Sequence, residues 1–79
     1  MENVSILDFL KEMQSFVTVS KKTLEKAAES GITTENNTQL RGYLREWKDG
    51  MWDEDPSLLT QNVANMLEGH RTFDPIDHF

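Results

Sequence analysis

Leu40, Leu44, Trp47 and Met51 follow a four-three-four spacing, with Tyr43 beside them. Side chains at that spacing share one face of an α-helix, so residues 38–48 are predicted to be helical, continuing to Trp52 if Met51 stays on the stripe. The stretch holds both tryptophans and is expected to be the central core helix. Gly42 within it costs about 1 kcal/mol relative to alanine, which points to a close helix crossing at that position.

Other segments repeat the helical pattern with start and stop signals. Ser5 precedes Ile6, Leu7, Phe9, Leu10, Met13, Phe16 and Val17, and Asp8 follows it by three positions, close to a capping box. Val4 and Phe9 occupy the positions of a hydrophobic staple. The first helix is therefore predicted to start after Ser5 and to end near Val17, where the β-branched run Val17-Thr18-Val19 lowers helix propensity. Ser20 is the expected cap of a second helix over Lys21–Ser30, packed through Leu24, Ala27 and Ala28. Gly31 then fits a left-handed ending, with Ile32 folding back on Ala27 in a Schellman motif.

Thr34, Asn36 and Asn37 are all competent caps for the third helix. Asp55-Pro56 reads as an acidic N-cap followed by proline at the first helical position, where its missing amide hydrogen is not needed. A fourth helix is predicted from Pro56 to Glu68, burying Leu59, Val63, Met66 and Leu67, with Leu58 at the margin and Gly69 ending it. Residues 70–79 have no helical period and contain Asp74-Pro75. The expected fold is all-α: a small three- to four-helix bundle, one helical domain over residues 1–69, with an extended C-terminal tail over residues 70–79.

With 79 residues, folding buries only about 60% of the surface of the unfolded chain. The core must use nearly every large apolar side chain, Val4, Phe16, Val17, Leu24, Tyr43 and Trp47 included. The absence of cysteine excludes a disulfide framework and a thiolate metal site. No apolar run approaches the roughly 18 residues that a membrane span needs. The first residues carry no basic segment followed by a continuous apolar run, so no signal peptide is expected and the chain is read as cytoplasmic.

The net charge of −6 is unevenly placed. Residues 1–48 hold seven acids and seven bases, whereas residues 49–79 hold Asp49, Asp53, Glu54, Asp55, Glu68, Asp74 and Asp77 against Arg71 alone. Such a surface repels phosphate backbones and attracts basic partners.

No catalytic constellation accompanies this charge. There is no cysteine nucleophile, glycine-rich phosphate loop or Ser-His-Asp pattern, and the paired carboxylates read as solvated charge runs, so no enzyme, cofactor or catalytic residue is expected. Asp49, Asp53, Glu54 and Asp55 lack the alternating ligands, central glycine and final glutamate of a calcium loop. His70 and His78, with Asp74 and Asp77, lack a fixed spacing for tetrahedral zinc, so no metal site is assigned.

Two binding readings remain. The favoured one is an acidic protein-binding module, an adaptor or inhibitor, that engages a basic surface of a partner such as a nucleic-acid-binding protein. Its contact residues would be Trp52, Asp53, Glu54 and Asp55 with the apolar tail residues Phe73, Ile76 and Phe79. Trp52 either caps the core or stands out as an anchor, because tryptophan buries a large area with few rotatable bonds. The alternative is a small DNA-binding regulator. Ala27, Gly31 and Ile32 fit part of a helix-turn-helix pattern, Asn37 stands where an apolar residue is required, and Lys21, Lys22, Lys26, Arg41 and Arg45 would contact phosphates. Nucleic acid is the less favoured partner, and a homodimer through the tail is left open.

Overall fold

A computed structural model describes residues 3–72, with side chains described as far as Gly69. Among these residues the chain is an all-α bundle of four helices: α1 (Ile6–Met13), α2 (Lys21–Ser30), α3 (Thr38–Lys48) and α4 (Pro56–Thr72). Three starts are capped by the side chains that precede them. Ser5 Oγ accepts from the Asp8 amide at 3.1 Å, Ser20 Oγ from the Thr23 amide at 3.1 Å, and Asn37 Oδ1 from the Leu40 amide at 2.9 Å. Each bond satisfies one of the four amides that a helix start leaves without an internal partner. Of the three competent caps before α3, the chain uses Asn37.

The centre of the core is not α3. Four of the fully buried large side chains, Ile6, Phe9, Leu10 and Met13, come from α1, two more, Leu59 and Val63, from α4, and α3 contributes Leu40. Helix α1 packs on α2 and α4, α2 also packs on α4, and α3 rests chiefly on α4. Tyr43, Leu44 and Trp47 lie half-buried against this core. The helical spacing identifies a face, but how deeply a face is buried depends on how many neighbours cover it, and α3 lies at the side of the bundle. Gly42 likewise sits at no close crossing: a Cβ built there meets no atom within 4 Å.

Several boundaries shift for local reasons. Helix α1 stops at Met13, four residues short of Val17, because three-residue-step bonds tighten its end: the Ser15 amide donates to Glu12 O at 3.2 Å and the Phe16 amide to Met13 O at 2.8 Å. This leaves Phe16, expected in the core, exposed, and lets Val19 fold inward just before the Ser20 cap. Helix α4 runs through Gly69 to Thr72. Among the described residues only Gly31 and Gly50 have positive φ, so Gly69 does not make the left-handed turn that would end the helix. Leu58 is exposed, one position off the stripe of Leu59, Val63, Met66 and Leu67 that α4 buries. Ala28 is also exposed, so α2 makes its close approach through Ala27.

The loop over residues 31–37 is tied down more firmly than its composition suggests. An isolated antiparallel bridge joins Ser5 and Thr33. Around it the Ile6 amide donates to Ile32 O at 2.9 Å and the Thr34 amide to Val4 O at 2.8 Å. The Val4 amide in turn donates to Thr34 Oγ1 at 2.9 Å. Ile32 and Thr34 are both buried. The chain before α1 therefore satisfies its backbone groups on the α2–α3 loop, as buried polar groups must.

Candidate functional site

The acidic stretch begins where α3 ends, and the geometry of that ending places it. Gly50, at φ 81°, takes the left-handed position after the Asp49 cap. Its amide donates to Trp47 O at 3.1 Å, and the Met51 amide donates to Glu46 O at 3.0 Å. These are the two bonds of a Schellman motif. The sequence places that motif at Gly31; there the Ser30 hydroxyl instead bridges the end, donating to Ala27 O at 3.0 Å and accepting from the Ile32 amide at 3.3 Å. Met51 follows the left-handed residue and so leaves the α3 stripe for solvent, 69% exposed.

Trp52 comes next and lies half-buried against the core. Its indole N–H donates to Glu46 Oε1 at 3.1 Å, which gives the polar end of the ring a partner while the ring covers apolar side chains. Both the capping and the anchoring reading of Trp52 use this position at the core margin. The Asp53 amide donates to Gly50 O at 3.3 Å, and its carboxylate lies over Gly50, with Oδ2 3.1 Å from where a Cβ would stand. Asp55 O accepts from the Leu58 amide at 3.2 Å, and Asp55 Oδ1 accepts from the Ser57 hydroxyl at the start of α4. Asp53, Glu54 and Asp55 are all exposed on this turn. Among the described residues no ion pair neutralises any of the three, and no three acids or histidines converge to hold a metal. The remaining proposed contacts, Phe73, Ile76 and Phe79, lie outside the described residues.

An exposed aromatic residue that sequence reasoning placed in the core is Phe16. It is 59% exposed, and its ring meets Trp47 edge to face, with centroids 4.8 Å apart and planes at 77°. That is a favoured geometry for an aromatic pair. The signal was hidden because Phe16 continues the α1 stripe in sequence, whereas the helix itself ends before reaching it.

The cationic set has a different arrangement. Lys21 and Lys22 are exposed on the first turn of α2, and Arg45 is exposed on α3. Lys26 pairs with Glu68 of α4. Arg41 is turned back on the loop, donating through Nε to Thr34 O at 2.9 Å and through Nη2 to Glu35 O at 3.3 Å. The linker over residues 31–37 is longer than the short turn of a helix-turn-helix, and α2 and α3 are each packed on α4 more than on one another. The five cations are therefore not gathered on one recognition helix.

Among the described residues the surface also carries shallow grooves, two of them between helices. One, of about 510 Å³, runs between α3 and α4 and is lined by Asn37, Gln39, Tyr43, Asn62, Asn65, Met66 and Gly69. The other, of about 300 Å³, is rich in hydroxyl groups from Thr18, Ser20, Thr23, Ser57 and Thr60. No helix among the described residues is long and apolar enough to cross a membrane. Comparison with protein-family models, curated proteins and solved structures finds no match to this chain.

Proposed function

We propose that this chain is a small acidic protein-binding module, an adaptor or inhibitor without enzymatic activity, that engages a basic surface of a partner protein in the cytoplasm. The observation that carries the reading is the turn between α3 and α4, where Asp53, Glu54 and Asp55 are exposed beside Met51 and Trp52 without a neutralising ion pair among the described residues. A single-sign surface of this kind speeds encounter with an oppositely charged partner and rejects like-charged ones, while an aromatic beside it supplies buried contact area. Proteins that bind nucleic acid present such basic surfaces and form a natural partner class. The DNA-binding alternative is less favoured, because Lys26 and Arg41 are engaged within the fold and the remaining cations lie on separate helices.

Affinity capture from the native host, read by mass spectrometry, tests the reading. The wild-type chain should enrich a basic protein, and a variant carrying Asp53→Lys, Glu54→Lys and Asp55→Asn should lose it with unchanged helix content. Asparagine at residue 55 keeps the side-chain oxygen that accepts from the Ser57 hydroxyl. Capture that survives the charge reversal removes the reading.

A further inference from the structure

The groove between α3 and α4 is lined by carboxamides: Asn37 and Gln39 at the start of α3, and Asn62 and Asn65 on α4, together with Tyr43 and the buried Met66. Charged residues make up 28% of the chain, yet none of the described residues lining this groove carries a charge. Its volume of about 510 Å³ falls in the range of about 300–1,000 Å³ typical of small-ligand sites.

Three of the four carboxamides are already held in place. Asn37 Oδ1 accepts from the Leu40 amide at 2.9 Å, Gln39 Nε2 donates to the Tyr43 hydroxyl at 3.2 Å, and Asn65 Oδ1 accepts from Gln61 Nε2 at 3.0 Å. Each bond uses one end of its amide. Asn37 and Asn65 keep their amino donors, Gln39 keeps its carbonyl oxygen, and Tyr43 keeps its own hydroxyl hydrogen. Asn62, half-buried, makes no hydrogen bond among the described residues and keeps both ends. Groups held in this way lose less rotamer freedom when a ligand arrives.

We propose that this groove binds a neutral oligosaccharide, whose hydroxyls pair with the carboxamides and with the Tyr43 hydroxyl while the Tyr43 ring and Met66 cover the apolar C–H face of a sugar ring. The site shares no residue with the acidic turn and does not depend on the role of that turn. An ionic ligand would lose hydration with no opposite charge in the described lining. A purely apolar one would strand the remaining donors and acceptors. An uncharged ligand rich in both satisfies the groove, and each sugar hydroxyl is donor and acceptor at once. An extended peptide fits less well: it repeats its outward groups every second residue, about 6.6 Å, whereas Asn62 and Asn65 stand only about 4.5 Å apart along α4.

Nuclear magnetic resonance titration of the isotope-labelled full chain tests the proposal by reading the side-chain amide signals of Asn37, Gln39, Asn62 and Asn65. The probes are maltotriose, chitotriose and mannotriose at millimolar concentration, with a sulfated trisaccharide as charged control. At least one neutral probe should shift these signals to saturation, with the same affinity in about 50 mM and about 500 mM salt, since no ion pair forms. The sulfated sugar should bind at least about tenfold more weakly. Asn62→Ala breaks no bond among the described residues and should weaken binding about tenfold with unchanged helix content. Asn65→Ala should do the same. Groove signals that none of the neutral probes shifts, a sulfated sugar that binds equally well, or an Asn62→Ala chain that binds as wild type overturns the inference. A blocked tetraglycine that shifts these signals when the sugars do not gives the groove to a peptide backbone and overturns it too.

Discussion

Replacing glycine with alanine should change stability in opposite directions at two positions of this fold. Gly42 lies inside α3 with φ outside the left-handed range, and a Cβ placed there touches nothing within 4 Å. Alanine at residue 42 therefore keeps every native contact and recovers about 0.8–1.0 kcal/mol of helix propensity. For a domain of this size about 1 kcal/mol moves the melting midpoint by about 4–8 °C, so Gly42→Ala should raise it by about that much. Gly31 also has open space around it, but its φ is 71°. Alanine there must adopt the left-handed conformation at a cost of about 1–2 kcal/mol, of which about 0.4–1 kcal/mol returns through the stiffer unfolded chain. The net effect is a loss of roughly 0.5–1 kcal/mol and a correspondingly lower midpoint. Thermal and urea unfolding followed by circular dichroism at 222 nm, a wavelength that reports the helix content on which this fold rests, measures both variants. A Gly42→Ala chain that melts below wild type would refute the reasoning, since it would require a neighbour close to residue 42 that the bundle does not have.

The other substitutions probe single contacts. Thr34→Val keeps the shape of a buried side chain but removes the oxygen that accepts from the Val4 amide; it should cost about 1–2 kcal/mol in urea unfolding, and a neutral result would mean the tie between the N-terminal segment and the loop carries no stability. Trp52→Phe removes the indole N–H that donates to Glu46 and should cost about 1 kcal/mol, with much of that loss absent when Glu46 is already alanine, which has no accepting oxygen, as a double-mutant cycle would show. Lys26→Gln breaks the pair with Glu68, whose side chains are 25% and 53% exposed, and should stay within about 0.5 kcal/mol of wild type.

The starts of α1 and α2 were legible because each depends on one local side chain, whereas for α3 the sequence offers three caps, and Asn37 is left to serve because Thr34 Oγ1 takes the Val4 amide and Asn36 Oδ1 takes the Thr33 amide. Ser5 and Ser20 accept amide hydrogens within three residues of themselves, and such bonds require no knowledge of the rest of the chain. Helix ends and burial were less legible. Whether α1 continued to Phe16 depended on a tightened last turn, and whether Gly31 or Gly50 took the Schellman bonds depended on the Ser30 hydroxyl competing at one of them. The rank of α3 in the core could not be read from its own period, since spacing identifies the apolar face and not the number of helices that cover it. For the same reason the acidic turn was visible as composition, whereas the Phe16–Trp47 pair joins residues 31 positions apart and exists only in the fold.

The acids at the end of α3 are placed against the preference of the helix that precedes them. A helix C-terminus carries about half a negative charge and favours cations, as Arg45 and Lys48 in the last turn of α3 do. Asp49 is the C-cap itself, and the Asp53 carboxylate is folded back over Gly50 just beyond it. The fold needs neither charge there: the bonds that end α3 are made by backbone groups of Gly50 and Met51. Asp49→Asn should consequently raise stability by about 0.3–1 kcal/mol at low salt, and the gain should fade at about 1 M salt, where the screening length is near 3 Å. Urea midpoints at the two salt concentrations decide the matter. If Asp49→Asn is instead destabilising at both, the carboxylate has a structural duty, and the charge of this turn no longer needs a partner to explain it. If the gain appears and fades as expected, the chain keeps at this corner a charge that weakens its own helix, which is the pattern of a surface retained for contact with something basic.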